Sequence, residues 1–277
     1  MLFRGIGWAS LALAALTGLV GDFSLWWLPV HFVCFYGGLV LVAFLFLWAV
    51  CASVDQEKPQ EEDSKFFRAM MNLYIEALIT LVGVKVEPQG TEKVPEDGRF
   101  LLVCNHLFLA DPGVLLNVLP DKQLAFITKQ ENQSMFLIGN IMHKILCQPL
   151  DRENDRAALK TILKCIQLLK EDKVSIGVFP EGYTSKDGLL HPFRSGVFKI
   201  AQKAQVPIVV CTIRNTRDIF KNLKKLRRTH VPVHVVEVIP AQELEGRTTV
   251  QIADRVYETM ISDLGEEFRW KEPESNA

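Results

Sequence analysis

The chain has 277 residues, 49% hydrophobic and 23% charged, with a formal net charge of −1 at pH 7. Its length suits one ordinary domain with an added segment, and its charge balance argues against nucleic-acid binding through a bulk electrostatic field. The six cysteines show no C-x-x-C pair and no regular spacing, so they indicate neither a disulfide framework nor a zinc or other metal site and fit a reducing cytosol.

The uneven placement of charge divides the chain. From Gly5 to Val54 the only acidic residue is Asp22, and no Lys or Arg occurs. This stretch breaks at GDFSLWWLP into two apolar arms, 5–20 and 30–54, read as a membrane-anchoring helical hairpin over residues 1–54. Trp26 and Trp27 at the break suit a membrane interface. Arg4 precedes the first arm and Lys58, Lys65 and Arg68 follow the second, so the positive-inside rule predicts a cell-membrane protein with its large domain on the cytoplasmic side. A cleaved signal peptide ending near Gly21 gives the same address, and a hairpin entering only one leaflet is equally open.

Residues 55–65 form an acidic linker too poor in apolar residues to pack. Residues 66–277 then read as an α/β domain. Phe67, Met71, Tyr74, Leu78 and Leu81 recur at helical spacing, suiting a helix at the membrane surface or one capping the core. Apolar runs at 99–104, 124–128, 146–150, 174–179, 206–213 and 231–239 read as strands. Helical patterns at 111–119, 153–170, 192–205, 221–228 and 248–264 lie between and after them. Strands apolar throughout and separated by helices predict a mostly parallel sheet flanked by helices, with its active site at the carboxyl ends of the strands.

Four stretches place polar groups where apolar runs end. In CNHLFLADPG, His106 follows a strand and Asp111 precedes Pro112, as a helix N-cap does. If Asp111 accepts the Nδ1–H of His106, Nε2 is left to take a proton; the same residues also suit a plain loop and cap. In VFPEGYTSKDG, Glu181 follows a strand between residues that equally suit a surface turn, and Gly182 and Gly188 permit close backbone approach. In PLDREND, Arg152 has the fork geometry to grip a phosphate, and Asn154 or Asp155 can cap the next helix. In HPFRSGVFKI, Arg194, Ser195 and Gly196 open a predicted helix whose N-terminus would favour an anion.

Taken in order, NHLFLAD, PLDR, FPEG and VPIVV resemble the four motifs of the lysophosphatidic acid acyltransferases, the H-x4-D glycerolipid acyltransferases, over Phe66 to Val238. The resemblance implies acyl transfer from coenzyme A or acyl carrier protein to a lysophospholipid hydroxyl, usually that of 1-acyl-glycerol-3-phosphate. It implies no acyl-enzyme and no cofactor beyond the acyl donor. By the same resemblance His106 is the general base and Asp111 its orienter, while Lys129 and the Gly182 N–H face the reacting carbonyl oxygen. Glu181 and Arg152 bind the glycerol hydroxyls and phosphate of the acceptor, and Ser185 joins that set. The third motif usually continues T-R-S, whereas this chain has Tyr183 and Thr184 before Ser185. Lys186 or Arg194 then replaces the missing arginine, or the acceptor carries another head group.

The expected partners are membrane lipids, the lysophospholipid and the acyl donor, with no nucleic acid. The basic run at 221–228 suits anionic head groups or a solvated face. A serine esterase lacks support because no G-x-S-x-G elbow occurs, and intact His106, Asp111 and Glu181 speak against a non-catalytic lipid binder. His31, His143, His191, His230 and His234 show no partner in sequence.

Overall fold

The computed structural model describes residues 1–20, 25–151 and 154–271. Two helices come first, α1 (Leu2–Val20) and α2 (Leu28–Ala52), packed against each other. Both are long and apolar enough to cross a membrane. At about 1.5 Å per residue they span about 28 and 37 Å, against a hydrocarbon core of about 30 Å.

The remaining elements are α3 (Lys65–Leu81), β1 (Val84–Gln89), β2 (Leu101–Cys104), α4 (Asp111–Val118), β3 (Leu124–Lys129), α5 (Phe136–Lys144), β4 (Gln148–Leu150) and α6 (Asp155–Lys170). They continue through β5 (Ser175–Val178), α7 (Lys199–Ala204), β6 (Ile208–Ile213), α8 (Ile219–Lys224), β7 (Thr229–Ile239) and α9 (Thr249–Leu264). Among the described residues the strands form one sheet in the order β1-β7-β6-β2-β5-β3-β4. Every pair is parallel except β6–β7. Successive strand side chains point to opposite faces, and every residue of β2, β5 and β6 is buried. The middle of the sheet is therefore covered on both sides, as expected of a mostly parallel sheet flanked by helices.

Sequence periodicity misses β1 because it is an edge strand. Lys85, Glu87 and Pro88 interrupt its apolar pattern, and these are residues an edge tolerates. The short α5 was also missed. Asn154 caps α6 by accepting the Ala157 N–H at 3.1 Å, one of the two caps expected there. The helix expected over 192–205 is shorter, with a 3-10 turn at Ser195–Phe198 followed by six residues of α7. A helix-terminal anion site at Ser195 and Gly196 is thereby removed.

The hairpin is docked to the domain. Asn140 Nδ2 donates to Cys51 O (2.9 Å), the Tyr74 hydroxyl to Ala43 O (2.6 Å), and Trp48 meets Phe136 at 6.0 Å. Contrary to expectation, the linker also packs. The Asp63 side chain is only 3% exposed and receives Arg68 Nε and Nη2, each at 2.7 Å. Arg68 also donates to Leu124 O at 3.0 Å, joining α3 to the start of β3. Removing one partner of a buried pair leaves the other charge uncompensated. Asp63→Ala should therefore cost about 3–5 kcal/mol, read as a lowered unfolding midpoint in detergent; an unchanged midpoint would show that the pair does not secure α3.

Candidate active site

The loops after β2 and β5 emerge side by side because these strands are neighbours in the sheet. Asn105 holds the first loop against β6, donating to Ile213 O (3.0 Å) and accepting the Ile213 N–H (2.8 Å). His106 follows, and its Nδ1 lies 2.8 Å from Asp111 Oδ2. That same oxygen accepts the backbone N–H groups of Leu107 and Phe108, both at 2.7 Å. A backbone N–H can only donate, so Oδ2 is an acceptor and the ring must donate from Nδ1. In the neutral ring Nε2 is then left with a lone pair.

Asp111 is fully buried. It does not cap α4 as the sequence suggested: Ala110 occupies the cap position and Asp111 is the first helical residue. The tight turn from Phe108, closed by Asp111 N–H to Phe108 O at 3.0 Å, directs the carboxylate back into the His106 loop.

The loop after β5 supplies the floor and one wall. Phe179 stacks beneath the His106 ring at 4.1 Å and 20°, and Phe126 stacks on Phe179 at 5.6 Å. Gly177 makes room for this column, since a Cβ there would lie 2.5 Å from Phe126 Cε1. Glu181 sits beneath the loops and is 1% exposed. Its Oε1 accepts the His106 N–H (2.8 Å) and its Oε2 the His191 N–H (3.1 Å). Burial pushes this carboxyl up to about 7, with the His106 and His191 N–H groups pulling the other way.

A cavity of about 300 Å³ opens beside His106. Among its lining residues are His106, Lys129, Gly182, Tyr183, Thr184 and Arg194. Gly182 has φ 83°, and a Cβ there would lie 2.9 Å from Arg194 Nε. The Arg194 side chain therefore crosses the glycine at the cavity wall, beside Thr184, which stands where the motif usually has arginine. The Gly182 N–H donates to Phe179 O at 3.0 Å, which turns it into the loop and counts against its use as a donor to a reacting carbonyl.

Glu181, Ser185 and Lys186, expected to touch the acceptor, do not line this cavity. Glu181 is engaged by backbone. Ser185 is buried, donating to Asp187 Oδ1 (2.9 Å) and accepting the Gly188 N–H (2.9 Å). Lys186 is exposed outside the cavity. Arg152 lies outside the described residues.

His191, given no partner from sequence, meets both Asp187 oxygens at 3.0 and 3.1 Å. Burial pushes the Asp187 carboxyl up, but donation from the Leu189 N–H, His191 and Ser185 outweighs it and holds the group at about 2. His143, His230 and His234 pair with Lys58 O, Glu87 and Asp263 respectively. Sequence reasoning also missed Phe126, Phe179 and Asn105. The only local signals were an aromatic directly before P-E-G and an amide directly before the histidine.

The Glu181 carboxylate makes stability depend on pH in a defined direction. Between about 4.5, its ordinary value, and about 7, the folded chain holds a proton that the unfolded chain has lost. Stability from this group therefore falls as pH rises through that window and levels above it. Glu181→Gln should remove this slope. It should also cost about 1–3 kcal/mol, because its amide NH₂ cannot accept the second backbone N–H. Unfolding midpoints of parent and variant across pH 4.5 to 7 test both, and parallel curves would contradict them.

Residues 85–214 match the family described as Acyltransferase. The chain is 28% identical over 238 residues to the 1-acyl-sn-glycerol-3-phosphate acyltransferase alpha of Bos taurus, covering 83% of this chain and 78% of that one. The chloroplastic enzyme BAT2 of Brassica napus, another 1-acyl-sn-glycerol-3-phosphate acyltransferase, is 33% identical over 153 residues, covering 55% and 44%. The fold matches the crystal structure of the 1-acyl-sn-glycerophosphate (LPA) acyltransferase PlsC from Thermotoga maritima. That match has a TM-score of 0.60 and 21% identity, covering 98% of this chain and 100% of that one. Over residues 85–214 the chain is thus similar to the acyltransferases.

Proposed function

We propose that the chain transfers a fatty acyl group from a thioester to the free hydroxyl of 1-acyl-glycerol-3-phosphate, giving phosphatidic acid, at the membrane surface. The observation that carries this reading is His106 at the cavity wall with its Nδ1 engaged by Asp111. Nε2 takes the proton from the acceptor hydroxyl as its oxygen attacks the thioester carbon. The C–O bond forms, the C–S bond breaks, and the imidazolium returns the proton to the departing thiolate. The acyl donor is acyl-coenzyme A or acyl-acyl carrier protein, and no acyl-enzyme or cofactor is needed.

Charge on the carbonyl oxygen needs a positive neighbour in the same cavity, and Lys129 meets that requirement. For the acceptor phosphate the reading favours Arg194 over Lys186, because only Arg194 lines the cavity with His106. Arg152 remains in the proposed set through the motif resemblance alone. Because Thr184 replaces the usual motif arginine, a lysophospholipid with another head group is the second reading.

The two apolar helices and the family support membrane association. The charges at Arg4, Lys58 and Lys65 favour the domain on the cytoplasmic side of the cell membrane. Keeping the site at the bilayer avoids extracting an acyl chain, which costs about 0.8 kcal/mol per CH₂.

The direct test is product identification by mass spectrometry from a panel of lysolipids offered with acyl-coenzyme A and with acyl-acyl carrier protein. Phosphatidic acid as the main product supports the reading, and a product with another head group selects the second one. His106→Ala should lower kcat by about 10²–10⁴-fold; parental activity in that variant would overturn the mechanism. Arg194→Ala should raise KM for the phosphomonoester acceptor by about 10–100-fold and leave KM for the acyl donor unchanged. Equal effects on both substrates would remove Arg194 from the phosphate site.

A further inference from the structure

The turn after α8 carries a surface that the proposed acyl transfer does not use. The Leu226 N–H donates to Leu223 O (3.0 Å) and the Arg227 N–H to Asn222 O (2.9 Å), the pattern that closes a helix with one left-handed residue. That residue is Leu226, at φ 51°. Glycine usually fills this position because a Cβ is strained there. Here the strained residue also holds an apolar side chain 94% exposed, and Phe220 of α8 is 51% exposed. Local folding gains nothing from exposing Leu226 in this conformation.

Lys221, Lys224, Lys225, Arg227 and Arg228 surround these two side chains, all exposed. Lys221 reaches Asp218 at 3.7 Å, and the other four have no ion-pair partner among the described residues. An exposed apolar tip ringed by unpaired cations is matched to an anionic lipid surface, where head groups meet the charges and the acyl boundary takes the apolar groups.

The patch is continuous with the hairpin base on one side. The Thr229 N–H donates to Gly83 O at 3.0 Å, directly after α3, whose last turn exposes Leu78 and Leu81. Glu76 of α3 in turn binds the Met1 ammonium at 2.5 Å, at the start of α1. On the other side Phe220 packs edge-on against Phe108 at 5.2 Å. The next residue, Leu109, is 70% exposed and lines the cavity that holds His106.

We propose that the α8 turn is a second membrane-contact surface. Leu226 and Phe220 enter the interface of an anionic bilayer, Lys224, Lys225, Arg227 and Arg228 meet its head groups, and the Leu109 edge of the cavity is thereby held at the lipid. This rests on the hairpin being inserted in the same bilayer.

The experiment uses the full chain in vesicles of phosphatidylcholine with phosphatidylglycerol. Leu226→Cys, Leu45→Cys and Asp97→Cys, each in a Cys34→Ser background, are labelled with a nitroxide and probed by dissolved oxygen and by an aqueous nickel chelate. Labels at 226 and 45 should be oxygen-accessible and nickel-protected, and the label at 97 the reverse. If 45 is protected while 226 is as open to nickel as 97, the α8 surface is wrong and the hairpin reading stands. If 45 is also open, both fall.

Leu226→Gly supplies an independent reading because it relieves the left-handed strain. Its unfolding midpoint in detergent should equal or exceed the parental value, while product formation from vesicle-borne acceptor falls severalfold and activity in neutral detergent micelles is unchanged. Reversing Lys224 and Lys225 to Glu should lower activity about fivefold or more in vesicles containing phosphatidylglycerol, and much less in phosphatidylcholine alone. Equal loss in vesicles and micelles, or no loss in vesicles, would contradict the proposal.

Discussion

One carboxylate oxygen sets the geometry on which the site depends. Asp111 Oδ2 accepts two backbone N–H groups and the His106 ring at 2.7 to 2.8 Å. A fully buried carboxylate is costly unless donors surround it. Here the donors to Oδ2 all come from the loop that the carboxylate organises, while Oδ1 has no hydrogen-bond partner among the described residues, so the loop conformation and the imidazole tautomer are secured together through one oxygen. A second buried carboxylate acts from below: Glu181 joins the His106 backbone to that of His191. Two acids outside the cavity lining thus hold the reactive ring and its loop.

The sheet makes this arrangement possible. Parallel pairing of β2 with β5 delivers two polar loops to the same edge, and Asn105 extends the register one step further by exchanging hydrogen bonds with Ile213. The aromatic column of Phe126 and Phe179 then gives His106 an apolar bed. Only the Nε2 side of the ring is left for chemistry. The docked hairpin fixes this edge relative to α1 and α2, because α2 is held to α5 by Asn140 and to α3 by Tyr74.

Much of this was readable in sequence, and the misses have physical causes. Apolar runs gave the buried strands because a strand covered on both faces has no polar alternation; β1 escaped because an edge strand carries Lys85, Glu87 and Pro88. His106 and Asp111 were legible as a pair, yet the expected cap role of Asp111 was wrong, since spacing cannot tell a carboxylate facing its own helix from one turned back into the preceding loop. Glu181 was found as a significant residue, but its burial under the loops depends on tertiary packing that no local pattern encodes. The same holds for Arg194, ten residues beyond the position where the motif usually has arginine, which reaches the cavity only because Gly182 lets its side chain pass. The packed linker was missed because Asp63 looks like any other member of an acidic run, and its partner Arg68 belongs to the next helix.

The central claim is that the neutral His106 ring carries its proton on Nδ1 and presents a bare Nε2 to the cavity. Nitrogen-15 NMR of histidine-labelled protein, with the His106 signals assigned by their loss in His106→Gln, measures this tautomer directly. A protonated Nδ1 with an unprotonated Nε2 is the predicted result. A proton resident on Nε2 would contradict it, because the ring would then have no base to offer an acceptor hydroxyl.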